Sequence, residues 1–219
     1  MKKQKIFIAC DTTNLNKVKK IIKQSQSKRI KIGYKFGLEF MNSKNGRTFL
    51  AKLRKKIIFV DLKLNDTVNT MLSAVKALKD LKINYLTVHI SSGLTALKAV
   101  KRVSGPIKIV GVSTLTSLNN KDLKMIGYSK SVKNLVAHQA KLANRAALDA
   151  LVCSPYEVNI VRKIFKKEII TPGVQIGKKN YDQKRSMEAK KVNSDWLVIG
   201  RSVTRGNIKK NIQKLIKSL

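Results

Sequence analysis

Ile57-Ile58-Phe59-Val60-Asp61-Leu62-Lys63-Leu64-Asn65-Asp66 runs from a β-branched, apolar core signal straight into charge. The apolar half reads as a strand buried on both faces, and its abrupt polar end as the point where that strand meets a site. Outward from this stretch the same unit recurs. Short apolar runs lie at Ile6–Ala9, Ile30–Phe36, Tyr85–Ile90, Ile107–Val112, Ala150–Cys153, Glu168–Thr171 and Trp196–Ile199. Helical spacing fills most of the gaps: Val18, Ile21 and Ile22; Met71, Ala74, Val75 and Leu78; Leu135, Ala137, Leu142 and Ala146. Parallel strands cannot be joined by tight turns, so this alternation predicts an α/β fold with crossover helices. Eight such units in 219 residues predict a closed (β/α)8 TIM barrel, with residues 1–219 forming one domain. A doubly wound open sheet is the rival. The chain has neither a Gly-rich dinucleotide fingerprint nor a G-x-x-x-x-G-K-S/T loop to support it.

Composition narrows the function classes. Lys and Arg total 47 against 12 Asp and Glu, a net charge of +35, yet 43% of the residues are hydrophobic. Such a chain buries enough apolar surface to offset its ordering entropy, which excludes general disorder. No apolar run approaches the ~18–20 residues of a membrane span. The basic start, Met1-Lys2-Lys3-Gln4-Lys5, leads into an apolar stretch that stops at Asp11, short of the ~7–15 residues of a signal peptide, so a cytoplasmic protein is expected. A field of this sign attracts polyanions in general. The lysines are nevertheless spread along the whole chain, so no specific nucleic-acid partner is expected, and attraction of a phosphorylated substrate is the better use of the charge. Cys10 and Cys153 lack C-x-x-C spacing and read as small buried residues at strand ends. His89 reads as structural and His138 as a helix-surface residue, and two histidines without ligand spacing point to no metal site.

Polar residues concentrate where the predicted strands end. Strand one ends in Cys10-Asp11, strand three in Asp61-Leu62-Lys63, strand five runs into Thr116-Ser117, strand seven into Pro172-Gly173, and strand eight into Gly200-Arg201. In a barrel these ends share the face that hosts active sites. Strand alternation would point Asp61 and Lys63 into the mouth together. Taken alone, D-x-K-x-x-D also fits a solvated loop with Asn65 or Asp66 capping the next helix.

Asp61-Leu62-Lys63-Leu64-Asn65-Asp66-Thr67-Val68-Asn69-Thr70 resembles the orotidine 5'-phosphate decarboxylase signature D-L/F-K-x-H-D-I-P-N-T. Further matches follow in order. Lys35-Phe36-Gly37-Leu38-Glu39-Phe40 resembles K-V/I-G-x-E-x-F, and Val88-His89 and Leu115-Thr116-Ser117 resemble V-H and L-T-S. Leu148-Asp149-Ala150-Leu151-Val152-Cys153-Ser154 is similar to L-D-G-V-V-C-S, Thr171-Pro172-Gly173-Val174 to T-P-G-I/V, and Val198-Ile199-Gly200-Arg201 to V-I-G-R.

The resemblance implies a homodimeric barrel, without metal or organic cofactor, that converts orotidine 5'-phosphate to uridine 5'-phosphate and carbon dioxide. It implies a charged array of Lys35, Asp61, Lys63 and Asp66, the last reaching in from the partner subunit, with Lys63 as proton donor to C6 of the pyrimidine. Asp11 and Lys35 would hold ribose hydroxyls, Thr70 would come from the neighbouring subunit, and Thr116 would lie over the base. Gln175, Gln183, Gly200 and Arg201 would meet the phosphate end, under a lid from Gln175 to Arg185. Departures from the pattern are Asn65 for His, Thr67 for Ile, Val68 for Pro, and Gln175 where many members carry Arg. Lys31-Ile32-Gly33 and Lys35-Phe36-Gly37 both fit K-x-G and share parity, and Lys35 is chosen because Gly37-Leu38-Glu39-Phe40 extends its match. Two other readings stay open. One is a magnesium-dependent sugar-phosphate decarboxylase or aldolase sharing the D-x-K-x-x-D core, although apart from Glu39 few acids lie at strand ends to help hold the metal. The other is a non-catalytic barrel that binds nucleic acid.

Overall fold

The computed structural model describes residues 4–175 and 187–219, with the side chains of Gln175 and Lys190 left aside. The strands in chain order are β1 (Lys5–Ala9), β2 (Lys31–Gly37), β3 (Ile57–Leu64), β4 (Tyr85–His89), β5 (Lys108–Val112), β6 (Ala150–Val152), β7 (Glu168–Thr171), β8 (Val174–Gln175), β9 (Met187–Glu188) and β10 (Trp196–Ile199). β1 to β7 and β10 are all parallel and close into an eight-stranded barrel, while β8 and β9 pair only with each other. Closure is made by β10 on β1, with Lys5 opposite Trp196 and Ile8 opposite Ile199. The open-sheet alternative is thereby excluded.

Period-2 alternation sorts the strand residues into two cores. Phe7, Ala9, Phe59, Tyr85, Val110, Ala150, Ile170, Trp196 and Val198 face inward and fill the barrel. Phe7 stacks on Trp196 at 4.0 Å between ring centroids, and Tyr85 meets Phe7 edge-on at 5.3 Å. Gly33 makes this plug possible, because a Cβ there would stand 2.6 Å from the Phe7 ring. The alternate residues, among them Ile6, Ile8, Tyr34, Phe36, Ile58, Val60 and Leu86, face outward against the helices. Each fully buried side chain of this size contributes roughly 1.5–3 kcal/mol.

The helices start where short polar side chains can take orphan backbone donors. Asn14 accepts from Lys17 N ahead of the helix Leu15–Gln24, Ser131 from Asn134 N ahead of Val132–Arg145, and Asn207 from Lys210 N ahead of Ile208–Lys217. The first helix buries Val18, Ile21 and Ile22, as their spacing predicts. In Val132–Arg145 the period is right and the phase is shifted. Val136, Gln139, Ala140 and Ala143 are buried beside Leu135, while Ala137 and Leu142 are only half-buried. The alanines carry little phase information because they are tolerated on either face. Cys10 and Cys153 are buried, each just past a strand end, and burial with the nearby Asp11 pushes the Cys10 thiol up to about 12. His138 is exposed on its helix.

The strands are held in register at their N-terminal ends. Asn84, Asp149 and Asp195, each directly before a strand, accept from the backbone N–H of Ile58, Ile109 and Ile169 in the strand alongside, at 2.8, 2.9 and 2.9 Å. Below the aromatic plug, Glu168 takes Lys5 Nζ (2.9 Å) and Trp196 Nε1 (3.3 Å) on one oxygen. Its other oxygen takes the Tyr85 hydroxyl (2.9 Å) and Lys108 Nζ (3.0 Å). The lower mouth is closed by this cluster, so space for a ligand is left at the upper, C-terminal mouth. Among the described residues no helix is long and apolar enough to cross a membrane.

Candidate active site

At the upper mouth a cavity of about 310 Å³ opens above the plug, with Phe59 in its floor. Asp11, Lys35, Asp61, Lys63, Thr116, Gly200 and Arg201 line it, with Pro172, Gly173 and Ser202 completing the rim. These are the ends of β1, β2, β3, β5, β7 and β10, so seven of the expected site residues reach one cavity.

Charge alternates through the array. Lys35 Nζ lies 3.1 Å from Asp11 Oδ1 and 3.3 Å from Asp61 Oδ2, and Lys63 Nζ lies 2.9 Å from the same Asp61 oxygen. The Thr87 hydroxyl donates to Asp61 Oδ1 at 3.1 Å. Burial alone would raise the Asp61 pKa, but Lys35, Lys63 and the Thr87 bond outweigh it and hold the carboxyl below its ordinary value. Burial would likewise depress the Lys35 ammonium, and Asp61 and then Asp11 reverse that and raise it. Both groups are therefore locked in their charged forms. Gly37 gives the Asp11–Lys35 pair room, since a Cβ there would stand 3.3 Å from Asp11 Oδ1 and 3.4 Å from Lys35 Nζ.

Lys35 and Lys31 are told apart by position, not by parity. Both point inward, but Lys31 pairs with Lys5 at the start of β1 and is exposed at the opposite end of the barrel, roughly 13 Å away at about 3.3 Å per residue.

Asp61 and Lys63 do share a side, though simple alternation is not the cause. β3 and β4 keep register through Val60 opposite Leu86 and resume it at Leu64 opposite Val88, leaving Asp61, Leu62 and Lys63 facing Thr87 alone. Lys63 sits at the centre of this bulge's strain, with φ of +52°. A non-glycine residue in the left-handed region costs about 1–2 kcal/mol, so the surroundings must hold it there. Bulges of this kind bend the strand and re-aim a side chain.

Asp66 and Thr70 are not gathered into the cavity. Asp66 is exposed past the end of β3, where its carboxylate accepts from Thr67 N at 2.6 Å, and Thr67, not Asn65 or Asp66, occupies the helix N-cap. Thr70 is exposed on the helix Val68–Ala77, its hydroxyl 3.0 Å from that of Thr67. Gln175 contributes its backbone to β8. Gln183 and nearly all of the expected lid from Gln175 to Arg185 lie outside the described residues.

Two supporting residues were not anticipated. Thr87 is fully buried and inward-facing in a strand of apolar neighbours. Gln139 is buried on its helix, and its side-chain oxygen accepts from Thr114 N at 2.8 Å and Thr114 Oγ1 at 3.1 Å, fixing the loop that carries Thr116. In each case a polar residue at an apolar position was the available signal. His89, the next inward residue after Thr87, has its pKa lowered, first by burial and then by Lys63.

The sequence profile described as the orotidine 5'-phosphate decarboxylase / HUMPS family matches residues 4–214. This chain belongs to that family. Within it, an orotidine 5'-phosphate decarboxylase of Wolbachia pipientis subsp. Culex pipiens is 40% identical over 225 aligned positions, covering 98% of each chain. One from Buchnera aphidicola subsp. Schizaphis graminum is 38% identical over 187 positions, covering 80% of this chain and 79% of that one. Among solved structures, the orotidine 5'-phosphate decarboxylase of Lactobacillus acidophilus superposes with a TM-score of 0.82 at 26% identity, covering 98% of both. The residues matched by the family model thus include the whole barrel and the Asp61 and Lys63 that line the cavity above Phe59.

Proposed function

We propose that this chain decarboxylates orotidine 5'-phosphate to uridine 5'-phosphate, with Lys63 as proton donor to C6. The observation that carries the reading is the Lys35–Asp61–Lys63 array at the cavity rim, with an Asp61 carboxylate locked as an anion between two ammonium groups. When the carboxylate leaves as carbon dioxide, the bonding pair remains on C6. A fixed ammonium on Lys63 favours that developing charge and then transfers its proton to the carbon, leaving an amine that solvent reprotonates. Asp61 would stand near the departing carboxylate and disfavour the ground state.

Two unit charges at ~4 Å and an effective dielectric near 20 interact by roughly 4 kcal/mol, so one such pair covers only part of a large barrier. Remote binding energy must supply much of the rest. Arg201 offers two parallel donors suited to a phosphate, with Gly200 and Gly173 beside it in the cavity wall. Asp11 and Lys35 suit ribose hydroxyls, and Thr116 the base. Gln175 and Gln183 are assigned to the phosphate end on the resemblance.

We assign the active unit as a homodimer in which Asp66 and Thr70 complete the partner's site. Their exposure, and their position outside this chain's own cavity, support that assignment. Mixing Lys63→Ala with Asp66→Ala chains tests it: hybrids should recover one intact site, and no recovery despite confirmed subunit exchange rejects it.

A magnesium-dependent sugar-phosphate reaction is less well supported by the donor set. Asp61 is already engaged by Lys35, Lys63 and Thr87. Glu39 is exposed and outside the cavity lining. A divalent cation at Asp61 would face two fixed ammonium groups. Ultraviolet monitoring of orotidine 5'-phosphate, with and without EDTA, tests the reading. Turnover that resists EDTA and collapses in Lys63→Ala supports it; an untouched substrate overturns it.

A further inference from the structure

We infer that Thr87 is the positioning residue that sets the catalytic geometry of Lys63 and Asp61. It is the one residue of β4 that faces the three-residue bulge Asp61–Lys63 between the registered pairs Val60–Leu86 and Leu64–Val88. A bulge removes ladder partners from the strand that carries it. Here the Thr87 hydroxyl takes their place. It accepts from the backbone N–H of Lys63 at 2.8 Å and donates to Asp61 Oδ1 at 3.1 Å.

The hydroxyl's one donor and one of its acceptor lone pairs are thus spent on the two charged residues of the array. The side chain has no exposure to solvent, so water cannot substitute for either bond. The bond to the Lys63 amide holds the left-handed backbone, φ +52°, from which that side chain is launched toward the cavity. The bond to Asp61 leaves its other oxygen, Oδ2, to Lys35 and Lys63. A residue acting in this way affects the rate of the chemical step more than the affinity for substrate, because the phosphate end of the cavity lies on other strands.

The kinetic arm rests on the decarboxylase reading, whereas a crystallographic arm does not. Thr87→Val keeps the shape and removes the hydroxyl, and Thr87→Ser keeps the hydroxyl. The expected result is a kcat for Thr87→Val at least ~30-fold below the parent with KM changed less than ~3-fold, as for a group that supports only the transition state. Thr87→Ser should recover most of that loss. In crystals, Lys63 Nζ should leave its 2.9 Å contact with Asp61 in Thr87→Val and keep it in Thr87→Ser. An unmoved Lys63 in Thr87→Val overturns the inference, as does a Thr87→Ser variant as slow as Thr87→Val. If the parent leaves orotidine 5'-phosphate untouched, the decarboxylase reading fails and the crystals still decide the role of Thr87. Should Thr87→Val not fold, Thr87→Cys against Thr87→Ser gives the same contrast, since a thiol is the weaker hydrogen-bonding group at nearly equal size.

Discussion

The two mouths of this barrel are built from the same parts. At the lower one a carboxylate, Glu168, is held by Lys5, Lys108 and the Tyr85 hydroxyl. At the upper one a carboxylate, Asp61, is held by Lys35, Lys63 and the Thr87 hydroxyl. Their side chains are similarly buried, 19% exposed for Glu168 and 12% for Asp61. What separates them is free space and aim. Glu168 is saturated, with two donors on each oxygen, and sits beneath the aromatic plug. The Asp61 array borders a cavity of about 310 Å³, and one of its cations, Lys63, leans into that space from a strained backbone. A satisfied ion cluster is structure, whereas one held rigid beside an open volume can act on a ligand.

Matched changes at the two mouths test that contrast, and deleting one lysine from each gives the largest effect. Lys63→Ala should lower kcat by at least ~10³-fold, while Lys108→Ala should stay within about threefold, both read by ultraviolet loss of substrate. Equal losses would erase the distinction. Neutralising each carboxylate comes next. Asp61→Asn leaves two ammonium groups facing each other and should cost roughly 10²-fold in kcat, whereas Glu168→Gln should leave kcat nearly unchanged.

Stability is where the lower mouth should respond. Glu168→Gln weakens charge-assisted bonds to Lys5 and Lys108, and denaturant unfolding should show a loss of roughly 1–2 kcal/mol at neutral pH once solvent screening is allowed for.

The smallest effect is the pH dependence of that loss. Burial opposes the shift, but Lys5, Lys108 and Tyr85 bring the Glu168 pKa from 4.5 down to about 2. A depressed carboxyl stabilises the fold fully above its unfolded value and loses that contribution as pH falls toward the folded one. Unfolding free energy should therefore drop between about pH 5 and pH 2 more steeply in the parent than in Glu168→Gln. Parallel slopes would mean that Glu168 titrates alike in both states.

Much of the site was legible because the family resemblance named its residues and barrel geometry converts strand ends into a shared location. Asp11, Lys35, Asp61, Lys63, Thr116, Gly200 and Arg201 come from five separate stretches of the sequence and line one cavity. Thr87 and Gln139 were not legible, since each acts by bonding to a backbone group or side chain that only folding brings near. The reason given for the Asp61–Lys63 pairing also needed correction. Alternation describes regular strands, and three residues opposite one break it. The choice of Lys35 over Lys31 rested on the longer match through Phe40, since period-2 patterning fixes which face a residue takes and says nothing about which end of the strand lies by the site.

By itself, the order of residues determined the alternation of strand and helix, the inward and outward faces, and the chemical types available at each strand end. Those are local properties, set by side-chain period and capping chemistry. Tertiary structure alone decided how much open space borders Asp61 and how the chain bends to aim Lys63. These depend on register between neighbouring strands and on the volume left above Phe7, Phe59, Tyr85 and Trp196, quantities that exist only once the barrel has closed.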